Sequence, residues 1–384
     1  MALFGKLPTV YLIIAMLMAG NACAQGLSEA SGEDRSDEDA SGQTSAIMEA
    51  SNNDSAEEMS QAEADPSAQK NSPEQKSDKI WHLVWEDNFD GEGLDRTKWR
   101  PEVSCWGGGN NERQCYTDRP ENIQIEDGLL RLIAKKGRYT GPLYPEDMKG
   151  APGGKKWQAY TSGKVRTKGL AAYKYGRFSA RMKLPEGQGT WPAFWMMPET
   201  DTYGGWPLSG EIDIMEAVNL NTPCEDCPGG IERHTSGALH FGNEIPQNTY
   251  LFLKAEGGRL PGPSEEWRVY AVEWAEGVIQ WLVDGKVYMR IESKDWFTAS
   301  ADKAENPYAP FDQPFYMMLN LAVGGNLAEK SNGKGFDPAS FPAELRVDWV
   351  RVEQCRQDWQ TGLPCLTDQN WQGEPQGPWE VQAR

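Results

Sequence analysis

"WRVYAVEWAEGVIQWLVDGKVYMRIE" (267–292) decides the class of fold. It divides into three runs rich in Val, Ile, Tyr and Trp, separated by Glu276-Gly277 and Asp284-Gly285. β-Branched and aromatic residues suit strands, and an acidic-Gly pair between apolar runs marks a hairpin turn. The same grammar extends outward in both directions. "ENIQIEDGLLRLIAKK" (121–136) is two alternating runs joined at Glu126-Asp127-Gly128. In "YGRFSARMKLP" (175–185), Phe178, Ala180 and Met182 take one face while Ser179, Arg181 and Lys183 take the other. "PFYMMLNLAVGG" (314–325) and "ELRVDWVRVEQ" (344–354) add two more runs, and no helical period persists for three turns after residue 80. Many short strands with regular turns predict an all-β sandwich or barrel.

The ends of the chain read differently. Residues 1–24 hold one lysine and a twelve-residue apolar run from Thr9 to Gly20, too short to span a bilayer and the right length for a signal peptide. Cleavage after Ala24 fits the small residues Ala22 and Ala24; acylation of Cys23, which would tether the chain to a membrane, is the alternative. Residues 25–79 contain no Phe, Trp or Tyr and carry 14 acidic against 4 basic residues. A segment of that composition cannot bury enough apolar surface to offset its ordering entropy, so it is expected to be a disordered linker. It carries about half of the formal charge of −19, which therefore says little about a substrate, although an acidic chain without a basic patch argues against nucleic acid. The remainder divides into a domain at 80–355 and a Pro/Gly/Gln-rich extension at 356–384, expected to pack on the domain as a strap pinned by Cys365.

Beyond Cys23 six cysteines remain, in three close pairs: Cys105 and Cys115, Cys224 and Cys227, Cys355 and Cys365. In an exported chain an even set reads as disulfides, and three short-range bridges are expected among the fifteen connectivities. "CEDC" (224–227) could instead be a redox or zinc motif, but there is no second such pair and only three histidines, His82, His234 and His240.

The chemistry concentrates in "SGEIDIMEAVN" (209–219). On a strand Glu211 and Asp213 share a face while Ile212 and Ile214 point into a core. Glu216, five residues from Glu211, would then be buried among the isoleucines at a cost of several kcal/mol. One extra residue, a β-bulge placed at Met215, returns Glu216 to the face of the other two acids. Effectively four apart, Glu211 and Glu216 would then have Cα atoms roughly 13 Å apart. Their side chains, leaning together, would leave carboxylates about 5–7 Å apart, near the ~5–5.5 Å of a retaining glycosidase. Three acids so close cannot all ionise freely.

E-[IL]-D-x-x-E on a strand resembles the signature of family-16 glycoside hydrolases, and its bulged form is similar to the laminarinase (endo-β-1,3-glucanase) branch. Further stretches appear in the order that branch shows, covering about 83–355: "GGGNNERQCYTDRPENIQIEDGLLRL", "YTSGKVRTKGLAAYKYGRFSARMKLPEGQGTWPAFWMMP", "ALHFG", "PFDQPFYMMLNLAVGGN" and "FPAELRVDWVRVEQ". The resemblance implies a concanavalin-like jelly-roll β-sandwich with a concave substrate cleft. It gives Glu211 the nucleophile role, Glu216 the acid/base role, and Asp213 the part of an assisting carboxylate. It also implies that Trp191, Trp195 and Trp206 line the cleft, that Asn110 and Arg177 contact sugars bound before the cleavage point, and that His240 and Asn320 face the cleft. No cofactor is expected for catalysis. A structural Ca²⁺ is a family feature to which Gly128 and Asp348 correspond, although Asn88 stands where a glutamate is common. The implied partner is a neutral β-1,3-glucan polysaccharide, since no Arg/Lys cluster suited to a sulfated polymer lies near the motifs; a monomeric, exported enzyme is expected. Two alternatives remain open: a relative acting on agar, carrageenan or mixed-linkage glucan, and a glucan-binding protein without activity, against which the three intact acids speak.

Overall fold

The computed structural model describes residues 80–148, 150–255 and 266–368, all within a compact unit spanning 74–384. The expected signal segment, Cys23, the linker at 25–79 and residues 369–384 of the extension lie outside the described residues. The runs read as strands do form strands. β1 (Trp81–Asp87), β2 (Arg100–Pro101) and β3 (Gln114–Tyr116) open the chain, and β4 (Ile123–Glu126) and β5 (Leu129–Pro142) form the hairpin expected at Asp127-Gly128. β6 (Lys155–Ser162), β7 (Lys164–Arg166), β8 (Ala172–Tyr173), β9 (Gly176–Lys183) and β10 (Thr190–Pro198) follow. β11 (Glu211–Glu216) carries the acidic motif, and β12 (Thr235–Gly242) and β13 (Asn248–Ala255) succeed it. The stretch 267–292 becomes β14 (Arg268–Ala275), β15 (Val278–Val283) and β16 (Lys286–Glu292). β17 (Phe315–Val323), a short α-helix α1 (Gly325–Lys330) and β18 (Ala343–Cys355) complete the order of the main elements among the described residues.

The strands make two sheets. The first runs β16-β15-β14-β9-β18-β5-β6-β3, with β1 added to β18 and β4 to β5. The second runs β13-β12-β11-β10-β17-β7-β2, with β8 on β17. Neighbours far apart in sequence, such as β9 beside β18, are the mark of a jelly roll. Alternation fills the space between the sheets: Phe178, Ala180 and Met182 from the first sheet meet Phe194, Met196, Ile212, Leu239 and Leu319 from the second, all buried. At roughly 1.5–3 kcal/mol for each fully buried large apolar side chain, this core holds the two sheets together.

One core residue also serves the outer face of the second sheet. Trp281 of β15 reaches across the sandwich and donates its indole N–H to the backbone carbonyl of Asp213 at 2.7 Å. It passes over Gly237, where a Cβ would lie 2.3 Å from the indole. Only a glycine on β12 leaves room for that ring.

The three expected bridges are present, joining Cys105 to Cys115, Cys224 to Cys227 and Cys355 to Cys365. Residues 356–368 lie against the outer face of the first sheet. There Thr367 donates to Glu273 from its backbone N–H at 2.6 Å and its hydroxyl at 2.7 Å, and accepts from Gln280 at 2.7 Å.

Candidate active site

β11 lies between β10 and β12, and both pairings show the extra residue. Along β12 the register steps from Asp213↔Ala238 to Glu216↔Ser236, three residues against two. Along β10, Phe194 pairs with Met215 and Trp195 with Asp213, so Ile214 is the residue without a partner. The bulge therefore sits one position before Met215, and Met215 keeps a place in the ladder. Ile214 and Met215 are both buried, and Glu216 returns to the face that carries Glu211 and Asp213. Burying two adjacent apolar side chains is what turns the third acid outward.

Each acid is held by groups from a neighbouring strand or from the loop between β10 and β11. Trp206 donates its indole N–H to Glu211 Oε2 at 2.6 Å, and Trp191 donates to Glu216 Oε1 at 3.0 Å. Asp213 is 3% exposed, and its Oδ2 lies 3.3 Å from His240 Nε2. The same nitrogen lies 3.9 Å from Glu211 Oε1, because Glu211 and His240 are direct partners across β11 and β12. The imidazole is itself stacked on Tyr250 of β13, with ring centroids 5.4 Å apart.

Burial and crowding then set the protonation. Glu211 is pushed up to about 8, first by burial and then by the charge of Asp213, against the pull of His240 and the Trp206 N–H. Asp213 stands well above the usual carboxylate range, by burial and then by Glu216. Glu216 is raised by burial, with His240 and the Trp191 N–H opposing. The cluster keeps protons at neutral pH that three separate carboxylates would have lost, and it titrates as a unit. Chemically it offers an ionised carboxylate beside a carboxylic acid, as two-carboxylate glycoside hydrolysis requires.

The other expected residues fall into three groups. Trp206 is 39% exposed, and its ring is open to a ligand. Trp195 and Asn320 sit on the site face of β10 and β17, with the indole N–H donating to Asn320 Oδ1 at 2.7 Å. Trp191 is on the same face but only 9% exposed, packed against Val218, Ala322 and Ala328, so its N–H rather than its ring serves the site. Asn110 lies in the glycine-rich turn before β3, where its carbonyl accepts from the Asn326 backbone at 2.7 Å. Its side-chain amide donates to the Gly108 carbonyl at 3.4 Å, beside Glu112, whose carboxylate accepts from Tyr116 at 3.5 Å, and the Tyr116 hydroxyl accepts from Asn320 at 3.1 Å.

Arg177 corrects the expectation. β9 belongs to the first sheet, and with Phe178 inward the guanidinium points to that sheet's outer surface. It pairs there with the fully buried Glu273 and lies over the Trp81 ring at 4.9 Å. It is a structural cation beneath the C-terminal strap, a full sandwich away from β11.

Of the residues matched to the expected Ca²⁺ site, Asp348 accepts from Arg181 through Oδ2 at 2.6 Å, which leaves Oδ1 for a further partner, and Gly128 occupies the β4–β5 turn at φ +71°.

Several groups facing the site had escaped sequence reading. Lys164 of β7 lies 4.7 Å from the Trp195 ring centroid and 3.1 Å from Glu102, and Tyr250 and Phe252 of β13 continue the site face beyond His240. Parity within "KVR" or "NTYLFLKA" marks which residues share a face, but only the pairing partners say which face that is.

Comparison with known proteins places this geometry in context. The profile described as glycosyl hydrolases family 16 matches residues 110–351. The chain is 38% identical over 284 residues to a glucan endo-1,3-beta-glucosidase A1 of Niallia circulans, covering 71% of this chain but 37% of that longer relative. It is 40% identical over 285 residues to a beta-glucanase of Rhodothermus marinus, covering 72% of this chain and 87% of the relative. Among solved structures, the laminarinase from Rhodothermus marinus superposes with a TM-score of 0.56 at 36% identity, over 72% of this chain and 98% of that one.

Proposed function

Because the chain belongs to glycosyl hydrolase family 16, we propose that it is an exported endo-glycosidase that cleaves β-1,3-glucosidic bonds in laminarin-like glucans with retention of configuration. The observation that carries this reading is the bulge at Ile214, which puts Glu211, Asp213 and Glu216 on one face while an indole N–H holds each glutamate. The relatives' names, glucan endo-1,3-beta-glucosidase and laminarinase, support the substrate class. Export rests on the amino-terminal apolar run and on three disulfides, which persist in oxidising surroundings.

In the first half-reaction Glu211 attacks the anomeric carbon as the carboxylate, and Glu216 gives its proton to the departing glycosidic oxygen. In the second, Glu216 takes a proton from water as that water displaces Glu211 from the anomeric carbon. Trp206 stabilises the ionised form of Glu211 by donating to it. Asp213, buried and crowded, keeps its proton, so that the proton the cluster loses as pH rises toward about 8 comes from Glu211, which then reacts as the carboxylate. Burial keeps Glu216 protonated for the first step. The exposed Trp206 ring and the half-buried Trp195 give a sugar's C–H faces flat apolar surface beside the acids.

The test is product analysis on laminarin, lichenan, agarose and κ-carrageenan with the full chain. Rapid conversion of laminarin to mixed short oligomers, with the β-anomer appearing first by proton NMR, is the expected result. It should be lost in Glu211→Ser and strongly reduced in Glu216→Gln. First appearance of the α-anomer would overturn retention, activity on a galactan alone would overturn the substrate, and inactivity on all four would favour a glucan-binding protein.

A further inference from the structure

We propose that Glu211, Asp213 and His240 together form a binding site for a divalent transition-metal ion of the zinc type, whose occupancy blocks the site face. Register brings the three together: Glu211 and His240 are partners across β11 and β12, and Asp213 follows two residues along the same face. One ligand atom from each lies within 4.8 Å of the other two. His240 Nε2 stands 3.3 Å from Asp213 Oδ2 and 3.9 Å from Glu211 Oε1. A tetrahedral ion with bonds of about 2.0–2.1 Å sets its ligand atoms roughly 3.3–3.4 Å apart. Three corners of that tetrahedron are therefore nearly in place.

Each donor has a lone pair to give. Asp213 is 3% exposed, and its Oδ2 is buried without a hydrogen-bond partner, a cost that a cation would relieve. Trp206 occupies Glu211 Oε2 and leaves Oε1 for the metal. The His240 ring is stacked on Tyr250, at 5.4 Å between centroids, and lies against Trp206, at 5.9 Å. The fourth corner opens toward solvent, since the side chains of His240 and Glu211 keep 21% and 15% exposure. One imidazole with two carboxylates favours Zn²⁺, Co²⁺ or Cu²⁺ over Ca²⁺ or Mg²⁺, which prefer oxygen alone. A dication is also the most direct relief for carboxylates crowded in a buried site.

Binding itself does not depend on the proposed hydrolysis. Only its consequence, inhibition by removal of the Glu211 lone pair, rests on that reading. The other metal-ligating cluster among the described residues, Cys224, Cys227 and Glu232, has both sulfurs committed to a disulfide and offers no thiolate.

Titration of the purified full chain with Co²⁺ at neutral pH tests the proposal by visible absorption. The expected result is a ligand-field band that saturates at one equivalent, is displaced by Zn²⁺ and survives excess Ca²⁺ or Mg²⁺. His240→Ala and, with the ring volume better kept, His240→Gln should each weaken binding by more than about tenfold while thermal melts show them folded. Absence of the band overturns the proposal. So does a band unaltered in both variants, or one accompanied by thiolate charge-transfer absorption, because either would place the metal elsewhere. If laminarin hydrolysis is found, Zn²⁺ should inhibit the parent chain at concentrations that leave the residual activity of His240→Gln unaffected. If it is not found, the Co²⁺ spectrum still decides the site.

Discussion

Replacing Trp206 by Phe removes the N–H that donates to the nucleophile while keeping an aromatic ring, smaller by one fused ring, in its place. The indole N–H lies 2.6 Å from Glu211 Oε2, short enough for a charge-assisted bond, and such bonds contribute about 1.5–3 kcal/mol. Trp206 is 39% exposed, so water can take over part of that role in the variant. The lower end, about 1.5 kcal/mol, is therefore expected, which is roughly a tenfold loss of kcat/KM on laminarin. A phenyl ring keeps an apolar face for the sugar, so KM should move less than kcat. Because the N–H works against the burial that raises Glu211, its loss should lift that group further and move the acid limb of the kcat/KM profile upward by about one unit, at 1.36 kcal/mol per unit. Trp206→Ala serves as the comparison, losing the ring face and the N–H together. A Trp206→Phe variant with kcat/KM within about twofold of the parent and an unmoved acid limb would refute the reasoning, leaving the indole as a sugar platform only.

Three further outcomes follow from the same geometry. Glu211 sits at about 8 against 4.5 for an ordinary glutamate, so between those values the native state binds a proton that the unfolded chain has lost, and stability falls as pH rises. At 1.36 kcal/mol per unit the cost reaches about 3 kcal/mol by pH 7; Glu211→Gln should therefore raise the Tm by roughly 5 °C at pH 7 and hardly at pH 4, measured in chelator-containing buffer, and equal gains at both would sink the idea. Gly237→Ala would put a Cβ 2.3 Å from the Trp281 indole, for an expected loss of about 1–3 kcal/mol in denaturant unfolding, together with lower activity as Asp213 loses its support; a neutral result would mean that the ring can shift freely. Glu273→Ala leaves Arg177 without its buried partner and takes both Thr367 contacts from the strap, so a loss of about 3–5 kcal/mol and new proteolytic cleavage within 356–368 are expected, and a strap that stays protected would count against this account.

How much of this could be read from the sequence depends on how far each interaction reaches along the chain. The strands of 267–292 were legible because a period of two and acidic-Gly turns are local. The bulge was legible because the only alternative buried Glu216 as an uncompensated charge. Its place was missed by one residue, since nothing local distinguishes Ile214 from Met215; the partner Phe194, on another strand, decides it. Arg177 shows the same limit in a sharper form. Alternation along "YGRFSARMK" correctly turns it away from the core, but each of the two sheets has a face turned that way, and only the pairing of β9 with β14 and β18 says that it is the sheet without β11.

Tuning of the site lies further still from local reading. The reactive groups occupy six consecutive residues, whereas the N–H groups that hold them come from 5, 25 and 68 residues away. Trp191 and Trp206 look alike in sequence, each a tryptophan before a proline, yet one is packed away beside the acids and the other stands open. The difference comes from what covers each ring: Ala328 of α1 and Val218 close over Trp191, whereas Trp206 is left 39% exposed among the described residues. A short pattern can thus specify which residues react, because reaction needs only parity and spacing. The acidity at which they react is set by burial and by single donors from other strands and from the loop before β11, and those are in place only once β10, β11, β12 and β15 are in register.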